Sequence, residues 1–252
     1  MDGWDDSTGS TEVSSEGGAL VSVEEMRKQA AAEAALIKSR LASAGSDFIR
    51  VTTDKKFKLP GEGKDSPGHE APMSVVIIDF AAANQYFDRP FRQGEQAAPA
   101  CYASGMSAIN LVPTDNSPVK QNDNCNECWA NQWGSAGAGK ACNNTRILAV
   151  VEPTSQDPAT PIYLLKVSKT AVKAFDSYIS QIRSAIKSLP ISVITEMYFD
   201  PNNQFPSLRF KVAGSNPNFG IHWPRREEAK TKLLEEPDFS KYEPLPQKGN
   251  KK

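Results

Sequence analysis

The sequence predicts a mixed fold that is mainly β with some α (α+β), in which short strands form a small barrel or sandwich and one helix covers it. Three observations lead to this prediction. Short apolar runs separated by turn residues recur between residues 45 and 212. Residues 171–188 carry apolar side chains at helical spacing. A cysteine pair, Cys125 and Cys128, lies in a polar stretch between two predicted strands.

The first part of the chain is expected to precede the core. Residues 1–20 contain five acidic side chains, no basic one and little to bury, which predicts a disordered acidic tail. Residues 21–44 are strong helix formers, and Ser22 with Glu25 matches a capping box. Because the apolar residues of this helix are mostly alanine, we expect it to be solvated or lightly docked.

The core is predicted over residues 45–223. Its strands are expected near 48–51, 57–59, 74–80, 147–151, 162–167, 192–199 and 208–212. The run SVVIIDF, which begins at Ser74, is continuously apolar, as expected of a strand buried on both faces. The helix over 171–188 has an apolar stripe formed by Val172, Phe175, Ile179, Ile182 and Ile186. Residues 224–252 combine prolines with mixed charges and are predicted to form a flexible tail.

Composition excludes several classes of protein. No apolar run approaches the ~20 residues that span a bilayer, and the N-terminus lacks the pattern of a secretory signal. We therefore expect a cytoplasmic protein with neither a membrane nor a small-molecule substrate as a partner. In a reducing cytoplasm, four cysteines are expected to be metal ligands or free thiols. The net charge of −1 means that a polyanion site must be a local groove.

The segment GSAGAGKA, which begins at Gly134, is close to a phosphate-binding loop. Ala141 occupies the position of the hydroxyl residue that would ligate magnesium, and the residues after Lys140 resemble a strand rather than a helix. A phosphate site of this type needs backbone N–H groups at a helix N-terminus. The pattern therefore does not support nucleotide binding.

The cysteine spacing favours a structural zinc ion. Cys125 and Cys128 form a C-x2-C turn, in which two thiolates can reach one ion at ~2.3 Å. Cys101 and Cys142 are the other cysteines, and His69 or His222 could replace one of them. The alternative is that these residues are ordinary buried thiols. We expect one zinc ion per chain, because the polar segment has little else to hold it together.

The chain resembles the zinc-containing single-stranded DNA-binding proteins of tailed bacteriophages, which are relatives of the phage helix-destabilising proteins. The resemblance covers roughly residues 45–215 and is most specific at C-x2-C, N-x-x-GS and GKAC-N. It implies an oligonucleotide-binding barrel (OB-fold) with a zinc-ribbon insertion at about 101–146, whose zinc ligands would be Cys101, Cys125, Cys128 and Cys142. It also implies a role in phage DNA replication, recombination or repair, with replication proteins as partners. The chain departs from the family in ending QKGNKK rather than in an acidic tail.

Single-strand binders combine cationic side chains with aromatic faces on which bases stack. Two segments interleave these residue types, and Lys55, Lys56 and Lys58 add charge on the first predicted hairpin. The two segments contribute Tyr86, Phe87, Arg89, Phe91 and Arg92, and then Trp129, Trp133, Lys140 and Arg146. Core packing is an equal alternative for the two phenylalanines, and the two tryptophans could form the core of the insertion.

The two alternatives to DNA binding are an enzyme and a zinc-ribbon interaction factor. An enzyme is not expected, because a closed four-cysteine zinc site leaves no position for water and neither histidine has an evident partner. The alternative function is a zinc-ribbon protein-interaction or transcription factor that docks on a polymerase. The acidic residues 1–20 could also compete with DNA for the binding groove.

Overall fold

The computed structural model describes residues 47–63, 65–89 and 97–239, together with residues 22, 23, 25, 26, 29, 30 and 33. The chain divides into two units, Met1–Ala44 and Gly45–Lys252. In the first unit the described residues from 23 onward are helical, and the Glu25 backbone N–H donates to Ser22 Oγ at 3.1 Å. Ser22 therefore caps this helix, as the sequence predicts.

The second unit is a mixed α+β structure built on one curled, half-barrel sheet. Eight strands are present in its described residues, and their order is β2-β1-β6-β5-β3-β7-β8, with β4 also paired to β3. The strands are β1 (Phe48–Val51), β2 (Phe57–Lys58), β3 (Met73–Tyr86), β4 (Cys101–Gly105), β5 (Cys142–Val151), β6 (Tyr163–Val167), β7 (Val193–Phe199) and β8 (Leu208–Ser215). The predicted mixed class is confirmed, and the curled sheet is compatible with a small barrel.

Strand β3 is the centre of the sheet. One of its edges pairs with β5 from Val76 to Tyr86. Its other edge is divided, because β7 pairs with its N-terminal end, Met73–Val75, and β4 with its C-terminal end, Ala82–Tyr86. The register to β5 shifts between Ile77 and Asp79, which marks a β-bulge. Among the described strands, β3 is therefore the one partner that β4 and β7 share.

Both faces of the sheet are buried, which explains the continuous apolar run of β3. Alternate side chains of this strand enter two separate cores: Val75 and Ile77 belong to one, and Val76 and Ile78 to the other. The first core is covered by α1 (Val172–Gln181), and its Phe175 makes edge contacts with Phe80. The prediction of a strand without polar alternation is thus confirmed.

Helix α1 is shorter than the predicted helix. A π-helical turn, Ile182–Ile186, follows it, and Lys187 then adopts a left-handed conformation with φ of 53°. In the apolar stripe Phe175 and Ile182 are buried, Val172 and Ile179 are partly buried against the same core, and Ile186 is exposed. Because the π-helical turn is wider than an α-helical one, Ile186 does not lie on the face of the helix that carries the rest of the stripe.

Part of the predicted flexible tail, Arg226–Leu234, is a docked helix instead. A helical segment comprises α2 (Phe219–His222), a 3-10 turn and α3 (Arg226–Leu234). Ala229 and Leu233 are buried in the second core. Lys232 Nζ donates to the Ile162 carbonyl at 3.2 Å. Alanine and a single leucine are too weak an apolar pattern to predict this docking from the sequence. No helix among the described residues is long and apolar enough to span a membrane.

Candidate nucleic-acid interface

The segment that connects β4 to β5, residues 106–141, forms a lobe at one end of β3. Cys101 and Cys142, the first residues of β4 and β5, pair with Tyr86 from opposite sides. The lobe therefore begins after Gly105, which pairs with Ala82, and ends at Cys142 beside Tyr86, so its two connections lie beside the C-terminal part of β3. The lobe has little regular structure, and a single 3-10 turn, Trp129–Asn131, is present among its described residues. Its conformation depends on side-chain hydrogen bonds.

Asn131 is the centre of this hydrogen-bond network. Its amide nitrogen donates to the Cys125 carbonyl at 2.7 Å, while its amide oxygen accepts from Lys140 at 3.2 Å and from Asn144 at 3.0 Å. Ser135 Oγ accepts from the Ala141 backbone N–H at 2.9 Å. The residues of the N-x-x-GS and GKAC motifs therefore contact one another and hold the lobe together.

The glycine segment of the lobe does not form a phosphate cradle. The backbone N–H groups of Gly134 and Ala136 both donate to the Gly139 carbonyl, at 3.0 and 3.1 Å. Gly134 has a φ of 90°, which only glycine adopts readily. The segment is a closed turn followed by β5, and no helix begins there. This geometry agrees with the rejection of nucleotide binding from the sequence.

The four cysteines line one small cavity of about 10 Å³ at the base of the lobe, together with Asn84, Tyr86 and Asn131. All four are buried, free thiols. Burial raises the pKa of Cys142 to about 12, and the three neighbouring sulfur atoms act in the same direction. Burial also raises the pKa of Cys125, although a hydrogen bond with Asn84 opposes this shift. These two groups are therefore neutral thiols near pH 7.

The prediction of a structural zinc ion is wrong. Within the part of the chain that the structure describes, no group of three or more His, Cys, Asp or Glu side chains could hold a metal ion. Cys101 and Cys142 lie two strand spacings apart across Tyr86, about 10 Å between their Cα atoms. The C-x2-C spacing indicates that thiols are neighbours, but coordination also requires all the sulfur atoms to converge on one point ~2.3 Å away. The zinc-ribbon insertion is accordingly not seen.

Three of the predicted aromatic residues lie together at the lobe. Tyr86 and Trp129 form an edge-to-face pair with ring centroids 5.4 Å apart. Trp129 is nevertheless 51% exposed, and Trp133 is 78% exposed. The two tryptophans are therefore not the core of the lobe, whose buried residues include Leu111, Cys125, Cys128 and Ala130. They present large aromatic faces to the solvent from a hydrogen-bonded turn.

The predicted cations are divided between two places. Lys140 and Arg146 lie at the lobe and at β5, and Arg146 makes a two-pronged ion pair with Asp176 at 2.8 and 3.1 Å. Lys55, Lys56 and Lys58 belong to the β1–β2 hairpin. Lys56 pairs with Glu70 at 2.8 Å. The structure does not place this hairpin at the lobe.

The remaining predicted residues follow the end of β3. Phe87 and Arg89 are half-buried, and Arg89 Nε is buried without a hydrogen-bond partner among the described residues. Phe91 and Arg92 lie outside the described residues.

Sequence reasoning missed several exposed apolar residues. Ile109 and Val112 in the lobe, and Phe205 in the turn between β7 and β8, are all more than half exposed. Isolated apolar letters in turn-rich segments carry no periodicity, so the sequence held no signal for them. No protein-family model, no curated protein and no solved structure matches the chain.

Proposed function

We propose that the protein binds single-stranded DNA, without catalysis, and acts in phage DNA replication, recombination or repair. The observation that carries the proposal is the exposure of Trp129 and Trp133, at 51% and 78%, on an ordered turn. Large apolar side chains are normally buried, so an aromatic pair that faces solvent indicates a binding surface. Unpaired bases stack on such rings with a gain of ~1–3 kcal/mol per base.

The order of the lobe supports this proposal. Gln132 lies between Trp129 and Trp133 in the sequence, and its side-chain amide nitrogen donates to the Asn126 carbonyl at 2.7 Å. Ser135 Oγ donates to the Gln132 carbonyl at 2.7 Å. A turn that is held in this way presents Trp129 and Trp133 with little conformational entropy left to lose on binding.

The half-barrel sheet also supports the proposal. Curled, mainly antiparallel sheets of small barrels, the OB-fold among them, bind oligonucleotides on their strands and connecting loops. We propose the same architecture here, with the β4–β5 lobe as a long loop at one end of the barrel. The resemblance to phage single-stranded DNA-binding proteins points in the same direction.

The ion pairs limit the electrostatic part of the binding. Arg146 and Lys56 already contact Asp176 and Glu70, so they are less available for phosphate groups. We expect about two phosphate contacts, and hence a slope of about −1.4 for the logarithm of the binding constant against the logarithm of salt concentration. Binding should therefore depend mainly on stacking.

The test is a titration of dye-labelled oligo-dT with wild-type protein and with the Trp133→Ala variant, followed by fluorescence anisotropy. Loss of one stacked base should weaken binding about 5-fold to 150-fold. Trp223→Ala is the matched control, because Trp223 is 43% exposed on the helical segment rather than on the lobe, and its affinity should stay unchanged. If Trp133→Ala and Trp129→Ala both bind as the wild type does, the proposal is wrong. No binding by the wild type at low salt would instead favour docking on a protein.

A further inference from the structure

We propose that the protein self-associates head to tail, with a lobe surface of one copy docking on a β7–β8 surface of the next. The lobe surface consists of Ile109, Val112, Asp123 and Glu127. The β7–β8 surface consists of Lys55, Tyr198, Phe205, Arg209 and Lys211. The inference is independent of DNA binding, because it uses neither lobe tryptophan and its test contains no nucleic acid.

The lobe surface is apolar and acidic. Ile109 is 72% exposed and Val112 is 58% exposed. The Asn126 side chain donates to Asn110 Oδ1 at 2.8 Å, and the Cys125 backbone N–H donates to the Leu111 carbonyl at 2.9 Å. These two bonds place the 109–112 segment beside the 123–127 turn, which carries the exposed side chains of Asp123 and Glu127.

The part of the lobe that carries this surface has more acidic than basic side chains. Residues 106–133 contain three acidic side chains and one basic side chain. That base, Lys120, pairs with Asp115 at 3.0 Å, and the acid is the more exposed partner: Asp115 is fully exposed, whereas Lys120 is 40% exposed. An apolar surface with an acidic rim fits a basic partner that also has apolar side chains.

The β7–β8 surface has this complementary character. Lys211 lies 5.7 Å from the ring centroid of Tyr198, and Arg209 is opposite Tyr198 in the strand register. Lys55 Nζ donates to the Asp200 carbonyl at 3.4 Å, and Asp200 also pairs with Arg209 at 2.7 Å. These contacts join the hairpin lysine to the two basic residues of β8.

The basic residues are the exposed partners of their ion pairs. The Lys211 side chain is 57% exposed and that of Glu196 is 20% exposed. The Arg209 side chain is likewise more exposed than that of Asp200. Phe205, at the turn between the two strands, is 55% exposed and supplies the apolar part. The surface therefore combines positive charge on the strands with an exposed aromatic ring in the turn that joins them.

The two surfaces lie at opposite ends of β3. The lobe surface lies near Gly105, which packs against Leu111 and pairs with Ala82 in the C-terminal part of this strand, whereas β7 pairs with its first residues, Met73–Val75. Val75 and Ala82 are seven residue steps apart, which is about 23 Å along an extended strand. The surfaces of one copy are thus held apart by the central strand. In a head-to-tail arrangement each copy keeps one surface free for the next copy, so the contacts produce chains or rings rather than stopping at a dimer.

The first test is sedimentation velocity of the full chain without nucleic acid, from about 10 µM to about 1 mM. We expect the average mass to rise above 27.4 kDa with concentration and to pass beyond that of a dimer. Raising the salt concentration from about 50 mM to about 500 mM should weaken the association, because the rim contacts are ionic. A protein that remains a monomer throughout this range overturns the inference.

The second test mixes two variants. The lobe variant is Ile109→Ser with Val112→Ser, and the β7–β8 variant is Phe205→Ser with Lys211→Gln, in which glutamine keeps a hydrogen-bond donor opposite Glu196. Each variant alone should be monomeric, because it has lost one of the two complementary surfaces. Their mixture should form a 1:1 dimer of about twice 27.4 kDa and stop there. Leu234→Ser, an exposed apolar change on α3, is the control and should associate as the wild type does.

Two outcomes of the mixing test contradict the inference. Variants that still self-associate alone would reveal an interface elsewhere, and a monomeric mixture of folded variants would show that the two surfaces do not meet. A variant that has lost its wild-type melting temperature is replaced by Asp123→Lys with Glu127→Lys, which alters exposed side chains alone. This charge variant should weaken self-association at least tenfold at low salt, and an unchanged association constant overturns the proposal.

Discussion

The docking of α3 can be tested by truncating Leu233. This residue is 1% exposed and belongs to the second core of the sheet, whereas its neighbour Leu234 is 36% exposed. The substitution Leu233→Ala removes buried methyl groups and leaves a cavity, which costs about 2–5 kcal/mol of unfolding free energy. Alanine and leucine both favour helices, so the helix itself is little affected. Leu234→Ala should change stability by less than about 0.5 kcal/mol.

The assay is urea denaturation of the wild type and the two variants, with thermal melting as a second measurement. At about 3 kcal/mol, Leu233→Ala should lower the Tm by about 6–12 °C. The denaturant dependence, m, should stay the same in all three proteins, since the same surface is exposed on unfolding. Equal stability of Leu233→Ala and Leu234→Ala would refute the docking of α3 and restore the flexible tail that the sequence predicted.

Three further predictions concern buried polar groups and the N-terminus. Burial, with a smaller contribution from the charge of Arg225, lowers the pKa of His222, whose Nδ1 lies 3.1 Å from the Asn216 amide nitrogen. The unfolded chain therefore binds a proton at this imidazole more readily than the folded chain does, so the free energy of unfolding should be constant above about pH 6.5 and fall below it. Urea midpoints at about pH 7.5 and pH 5.5 measure this fall, and His222→Gln should reduce it. Tyr178→Phe leaves the buried Thr195 hydroxyl without its 2.7 Å partner and should cost about 1–3 kcal/mol in the same assay, whereas an unchanged midpoint would show that Thr195 finds another partner. Deletion of residues 1–20 should raise the affinity for oligo-dT if these acids compete with DNA, and equal affinities in anisotropy titrations would exclude that competition.

The strands and α1 could be predicted because their burial follows a regular pattern. The run SVVIIDF is apolar at every position from Val75 to Ile78, and this fits a strand with a core on each face. The extension of β3 through Ala81–Ala83 was missed, because three consecutive alanines do not indicate strand or helix by themselves. Here tertiary pairing with β4 and β5 determines the structure.

The cysteines show a different limit of prediction. Their spacing wrongly predicted a metal site, although all four cysteines line one cavity. It could not determine the directions of the sulfur atoms, which depend on the register of β4 and β5 against Tyr86. The exposed positions of Ile109 and Phe205 were equally inaccessible, because exposure in an irregular turn depends on which neighbours fold over it.

The divided edge of β3 also has a mechanical consequence. Tension applied between the lobe and the β7–β8 end would run lengthwise along β3 and load its ladder with β5 in shear. That ladder has ten residue pairs, of which the eight from Asp79 to Tyr86 share one register, and in shear these bear the load together instead of opening one after another. We expect the resistance of the protein to stretching in this direction to be much greater than its resistance to peeling β8 away from the sheet.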